Sequence, residues 1–288
     1  MTVEVRGESY HLDKGLKEKW DKLREGGLAK YDEDRFYIVD GEEGCGKSVF
    51  TIQQGAYIDP TILDDADGKV LPRICFTAEE FHNAVRNTKS TKEHTKVVIF
   101  DEAFRGLSSK SSLSKNNRMI VQTLMEARQN NLIVFIVSPS FYLIEFYAAV
   151  LRSKALFHVV KEKKTRRRYV RVFGRKDKNI LYQIGVRKGW GYPRKTKFRV
   201  RFFNKYPGGA EFEARYRKKK LDSFRNEDPE ETLTHRWKEE RNNAIKLLYK
   251  QGLTQQKIAD LMREAGSKMT HVNIHYICSE RVGKKVVQ

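Results

Sequence analysis

The stretch Phe36-Tyr37-Ile38-Val39-Asp40-Gly41-Glu42-Glu43-Gly44-Cys45-Gly46-Lys47-Ser48-Val49 decides how this chain is read. A short apolar strand, Phe36 to Val39, runs almost directly into Gly41, and Gly41 to Ser48 match the pattern G-x-x-x-x-G-K-[ST]. Glycines let such a loop wrap so that backbone N–H groups face phosphate oxygens. Lys47 is placed to reach the β- and γ-phosphates of a nucleotide, and the Ser48 hydroxyl to ligate Mg2+. Val49 to Tyr57 reads as a helix whose positive N-terminal end faces the same anion. The expected nucleotide-binding set is Gly41, Glu42, Glu43, Gly44, Cys45, Gly46, Lys47, Ser48 and Val49, with ATP and Mg2+ as cofactors.

About 50 residues downstream comes Val97-Val98-Ile99-Phe100-Asp101-Glu102. Asp101, at the end of an apolar strand, is placed to hold the Mg2+ water shell. Glu102 is placed to polarise a water for attack on the γ-phosphate. Arg73–Phe76 and Leu132–Val137 are further apolar strands. Between the strands lie helical patterns over Ala78–Arg86, with Thr77 as N-cap and Glu80 at the third helical position, and over Asn117–Asn130. Apolar strands alternating with helices predict an α/β fold with a parallel sheet covered on both faces. Leu132 to Leu151 is mostly apolar, but it contains Ser138, Pro139, Ser140 and Glu145. It reads as strand, loop and helix, and no membrane span is expected. Residues 1–34 read as a polar helical lead-in, with Leu16, Trp20 and Leu23 at helical spacing.

The Asp-Glu pair and the extra strand resemble the additional-strand catalytic-glutamate class of P-loop ATPases. That resemblance implies a RecA-like sheet of order 5-1-4-3-2, with Leu132–Val137 inserted beside the P-loop strand. It also implies a polar sensor of the γ-phosphate at the end of the inserted strand, for which Ser138 and Ser140 are the candidates. A narrower resemblance covers Phe36 to about Val160. Its residues are Glu126-Ala127-Arg128-Gln129-Asn130-Asn131-Leu132-Ile133-Val134, Ser138-Pro139-Ser140 and Leu151-Arg152-Ser153-Lys154-Ala155. These look like the zonular occludens toxin-type ATPases, relatives of the HerA/FtsK DNA-pumping ATPases. Ring-shaped homo-oligomers are implied, with an arginine reaching a neighbouring subunit's γ-phosphate. Arg128, Arg152 and Arg105 are the candidates, though each reads first as a surface or structural arginine.

The 288 residues carry 57 Lys and Arg against 37 Asp and Glu, a formal charge of +20. Leu151 to Arg225 alone holds 26 Lys and Arg and 5 Asp and Glu. The whole excess therefore sits in one segment, which points to a polyanion such as DNA. Within it, Phe157–Val160, Tyr169–Phe173 and Ile180–Val186 read as strands of antiparallel hairpins. Lys163, Lys164, Arg166, Arg167, Arg168 and Arg171 are the candidate DNA-backbone contacts. Lys195, Lys197, Arg199 and Arg201 continue the pattern. The aromatics between them read first as core and second as base-stacking platforms. Tyr216–Glu231 reads as a charged linker.

From His235 onward the pattern is helical. His235–Gln251 has Trp237, Ala244, Leu247 and Leu248 on one side. Gly252-Leu253-Thr254 starts a second helix with Ile258, Ala259 and Leu261 toward a core. This segment resembles the first helix of the two-helix reader in small helix-turn-helix domains. The last helix would then present His271, Asn273 and His275 to a major groove, together with Tyr276. A plain helical subunit-contact domain is the other reading. His271 and His275 are also spaced for a metal, but no third ligand is evident.

The expected domains are a lead-in over 1–34, an ATPase core over 35–160, a basic β-hairpin segment and linker over 161–225, and a helix-turn-helix-like domain over 232–288. Cys45, Cys75 and Cys278 are too few and scattered for a disulfide framework or a zinc site. Met1–Arg24 has no apolar leader core, so a reducing, cytoplasmic location is expected, the host cytoplasm if the protein is viral. The expected activity is ATP hydrolysis coupled to viral or mobile-element DNA translocation, packaging or replication. Two alternatives stand beside it: an ATP-controlled, sequence-specific DNA-binding regulator, and a membrane-associated assembly ATPase.

Overall fold

Alternation along the strand before Gly41 builds the centre of the sheet. In β3 (Arg35–Gly41), Tyr37 and Val39 pack into one apolar cluster, and Phe36 and Ile38 into the other. The same split runs through β5 (Val97–Phe100) and β6 (Ile133–Val137), so both faces of these strands are buried. This is why their sequences are continuous apolar runs rather than alternating ones. The computed structural model describes residues 1–24, 27–101, 115–187, 189, 191–196, 198–225, 229–267 and 269–279.

The main sheet has seven strands in the order β4 (Ile74–Cys75), β5, β6, β3, β7 (Ala155–Lys161), β8 (Arg168–Gly174) and β9 (Arg199–Arg201). The first five are parallel, and β8 and β9 are antiparallel additions. Counted along the chain from β3, the parallel strands stand in the order 5-1-4-3-2, as the resemblance implies. The basic hairpin segment is thus not separate from the core, because β7, β8 and β9 extend the same sheet.

On one face lie α1 (Lys14–Arg24) and α3 (Lys47–Ile58). Buried Trp20 meets Tyr37 and Phe135 edge-on at 5.4 and 6.1 Å. Its indole N–H donates to the Gln54 side-chain carbonyl at 2.9 Å. Between α1 and β3 sits the single turn α2 (Gly27–Lys30). The other face carries α4 (Ala78–Arg86), α5 (Lys115–Gln129), a π-helical segment Tyr147–Arg152 and α6 (Arg175–Arg187). Phe81 of α4 stacks on Phe100 at 5.0 Å. Burying aromatics of that size contributes about 1.5–3 kcal/mol each. Thr77 caps α4, its hydroxyl accepting from the Glu80 N–H at 3.2 Å. Leu132–Leu151 folds as strand, 3-10 turn and π-helix, and no described helix is long and apolar enough to cross a membrane.

Three local readings are corrected. The N-terminal 34 residues are not all helical, because β1 (Thr2–Val5) and β2 (Glu8–His11) form a hairpin before α1. Its turn is Arg6-Gly7, both at positive φ, as a two-residue hairpin of primed type needs. Ile180–Val186 is not a strand but lies within α6, where Lys178, Leu181 and Gly185 form the buried stripe. Tyr216–Arg225 is not linker but the second half of α7 (Gly209–Arg225), which buries Phe212 and Tyr216 at i, i+4.

The described chain divides into two compact units, Met1–Ser223 and Phe224–Gln288. The second contains α8 (Pro229–Lys250), α9 (Gln255–Glu264) and α10 (His271–Ser279). Ile245, Ile258, Ala259 and Ile274 form its centre. Thr254 caps α9 through its hydroxyl, which accepts from the Lys257 N–H at 3.3 Å. Leu261, expected in this core, is 43% exposed, and Trp237 and Leu247 are exposed on α8 while Ile245 turns inward.

Candidate nucleotide site

The loop between β3 and α3 has the backbone that its sequence requires. Gly41 sits at φ 143°, and a Cβ there would come 2.3 Å from the Val159 carbonyl oxygen on neighbouring β7. Gly46 at φ 101° is the left-handed N-cap residue of α3, and no side chain caps that helix. The N-terminal turn therefore presents its backbone to the loop, where an anion is favoured. Lys47 Nζ folds across the loop and donates to the carbonyls of Gly41 and Glu42 at 2.8 and 3.0 Å. Within the loop Cys45 is buried, and burial raises its thiol pKa.

Asp101 closes β5 at 2% exposure, its N–H donating to the Cys75 carbonyl at 2.8 Å. The Tyr216 hydroxyl of α7 donates to the Asp101 carboxylate, and Lys220 Nζ lies 3.7 Å from the same oxygen. Ser48 stands near the same phenol. Burial, and then the Asp101 charge, push the Tyr216 pKa upward. The phenol thus holds one expected Mg2+ ligand, Asp101, with the other, Ser48, nearby. Glu102 and Arg105 lie outside the described residues.

Ser138 stands beside the loop at the end of β6. Its N–H donates to the Val39 carbonyl at 2.9 Å and its hydroxyl to the Ser140 carbonyl at 3.0 Å. The adjacent Asp40 is fully buried. Its carboxylate accepts from Phe141 N–H at 2.8 Å and from the Tyr192 hydroxyl, and pairs with His158 Nδ1 at 2.9 Å. The His158 and Tyr192 rings stack at 3.7 Å.

The arginines divide. Arg152 is committed to a largely buried pair with Asp34 and donates to the Leu124 carbonyl at 2.9 Å. Asp34 precedes β3, at the opposite end of the strand from Gly41, so Arg152 holds that end of the sheet rather than the phosphate loop. Arg128 is exposed at the end of α5, where it lines a groove of about 980 Å3 with Asp32, Arg152, Lys154 and Arg175. Neither residue meets the loop of its own chain. Arg168, expected among the DNA contacts, instead donates from Nε to the Cys45 carbonyl at 3.1 Å. Its Cδ lies 3.3 Å from where a Gly46 Cβ would be, and the Asn204 side-chain oxygen and the Phe202 ring crowd the same point.

Lys163, Lys164, Arg166 and Arg167 are exposed in the turn between β7 and β8. Arg171 is half-buried and donates to the carbonyls of Tyr192, at 3.3 Å, and Arg194, so it ties down a loop instead of facing solvent. His271, Asn273 and His275 are exposed on α10. The Asn273 side-chain oxygen is already used, accepting from the Thr270 N–H and hydroxyl at 3.0 and 2.7 Å. Among the described residues no cluster of three or more His, Cys, Asp or Glu could hold a metal. Tyr216, Lys220 and Arg168 were missed at the nucleotide site. The readable trace was the aromatic pair Phe212 and Tyr216 at helical spacing.

The glycine loop after the central strand, the uncapped helix behind it, the 5-1-4-3-2 order and the buried acid at the end of β5 give an α/β P-loop fold with a strand inserted between the P-loop strand and the strand of Asp101, the arrangement that the resemblance implies. The solved structures it is similar to include the N-terminal domain of zonular occludens toxin from Neisseria meningitidis, at 18% identity and a TM-score of 0.34, covering 49% of this chain and 84% of that one. The chain is also similar to the genome packaging NTPase B204 from Sulfolobus turreted icosahedral virus 2. In complex with AMP, that structure shows 14% identity and a TM-score of 0.31, covering 46% of this chain and 78% of that one. In complex with ATP-gammaS it shows 16% identity and 0.33, over 46% and 78%. No family model and no curated protein matches the sequence.

Proposed function

We propose that the chain binds and hydrolyses ATP and couples that cycle to DNA, as a translocation, packaging or replication ATPase of a virus or mobile element. The observation that carries the reading is the joined geometry of loop and acid: Lys47 spans the loop, α3 opens uncapped behind it, and the Tyr216 phenol that holds Asp101 stands near Ser48. On binding, the β- and γ-phosphates take Lys47 from the Gly41 and Glu42 carbonyls. The hydroxyl of Ser48 and the carboxylate of Asp101 are hard oxygen donors that suit Mg2+. When bound, that ion neutralises charge on the β- and γ-phosphate oxygens. Glu102 polarises the attacking water, and Ser138, placed beside the loop, senses the γ-phosphate. Arg128 is the proposed arginine in trans within a ring, since Arg152 is held by Asp34.

The exposed cations of the β7–β8 turn are the proposed DNA-backbone contacts, and the α10 face of His271, Asn273 and His275 a second one. The test is the ATP hydrolysis rate with and without duplex and single-stranded DNA, read beside the mass in solution with ATP. DNA-stimulated turnover of an oligomer supports the proposal, and turnover indifferent to DNA removes the coupling. The exposed polar face of α10 also fits an ATP-controlled, sequence-specific regulator. That reading predicts one protected sequence in a footprint and little turnover.

A further inference from the structure

Helix α7 reaches the nucleotide site from a segment whose sequence reads as linker. Tyr216 is buried in the core against Phe76 and Phe212, at ring distances of 5.6 and 6.3 Å, so its hydroxyl cannot swing away without repacking. One turn later, Lys220 brings an ammonium to 3.7 Å from the same carboxylate oxygen. Between them Lys219 fastens the helix to the end of β4, donating to the carbonyls of Leu71 and Ile74 at 3.0 and 2.7 Å. At the other side Arg215 pairs with Asp65 at 2.9 Å. The helix is thus pinned at several points while it presents one neutral donor and one cation to Asp101.

We propose that Tyr216 and Lys220 are positioning residues for the metal site, with opposite effects on it. Tyr216 fixes the rotamer of Asp101, so that carboxylate stands ready for a divalent cation. Outer-shell hydrogen bonds of this kind orient a ligand and tune its affinity. Lys220 supplies the charge that the carboxylate needs when no metal is present. An arriving divalent cation competes with that ammonium for one oxygen. The inference rests on the nucleotide-site reading above, and it adds a part of the chain outside the P-loop and its acidic strand.

The experiment titrates Mn2+ into the full chain saturated with a non-hydrolysable ATP analogue, followed by electron paramagnetic resonance of the free ion. Tyr216→Phe is expected to weaken Mn2+ binding about tenfold. Lys220→Met is expected to tighten it about threefold or more, because the competing cation is gone. A helix that is merely structural would change the unfolding midpoint and leave both metal constants alone. Unchanged constants in both variants, or weaker binding in Lys220→Met, would overturn the inference. Lys220 is a partly exposed side chain, so that variant keeps the test decisive should Tyr216→Phe fail to fold. If wild type itself shows no nucleotide-dependent Mn2+ binding, or Lys47→Ala retains it in full, the reading of the phosphate loop fails first. If that binding is present and depends on Lys47 while both α7 variants match wild type, only the present inference fails.

Discussion

Arg168 donates from its Nε to the carbonyl of Cys45 at 3.1 Å, so the first residue of β8 braces the phosphate loop from outside. Removing a charge-assisted hydrogen bond costs about 1.5–3 kcal/mol. Arg168→Ala is therefore expected to weaken ATP binding about tenfold or more, measured by displacement of a fluorescent ATP analogue. An unchanged dissociation constant would mean that the brace does not shape the loop.

Arg152 and Asp34 form a largely buried pair, with side chains 14% and 8% exposed. Breaking such a pair on one side leaves an uncompensated charge and costs about 3–5 kcal/mol. Asp34→Ala should lower the free energy of unfolding, read from urea titration, by that much while turnover per folded molecule stays near wild type. A stable variant with lost turnover would return Arg152 to the candidates for a role in catalysis.

Lys178 is buried and donates to the carbonyls of Ala149 and Val150, and burial lowers its pKa to about 8. Between that value and the ordinary lysine range, the unfolded chain holds more protons than the folded one. Its contribution to stability therefore rises as pH climbs from about 8 toward 10.5 and is least favourable below 8. Lys178→Met should remove this rise, so urea midpoints at pH 7 and pH 10 should differ less in the variant than in wild type. An equal slope in both would place the titration elsewhere.

Lys163, Lys164, Arg166 and Arg167 share one exposed turn. If that turn lies on DNA phosphates, each neutralised cation should reduce the slope of log affinity against log salt by about 0.9. Binding of a fixed duplex across a salt series checks this for single and combined alanine variants. A slope untouched by the combined variant would move the DNA surface to another face.

The P-loop was legible because its chemistry is local: glycines, lysine and serine within eight residues, between an apolar strand and a helix. The flanking strands were legible for the same reason, since burial on both faces writes a continuous apolar run. What escaped was burial hidden under charge. In α7 the pair Phe212 and Tyr216 is interleaved with Arg215, Arg217, Lys218, Lys219 and Lys220, so the basic count masked the helical period. In α6 the β-branched Ile180, Ile184 and Val186 mimicked a strand, while a buried lysine, Lys178, occupied a core position. The site also escaped in part because Tyr216 lies 115 residues from Asp101, and no local pattern announces such a contact.

The central claim is that this loop holds a nucleotide whose γ-phosphate is cleaved. The most direct measurement is steady-state release of phosphate from Mg2+-ATP by wild type and by Lys47→Ala, at matched folded concentration. Wild type is expected to release phosphate in a Mg2+-dependent way, and the variant to lose at least about a hundredfold of that rate. Equal rates in the two proteins would contradict it.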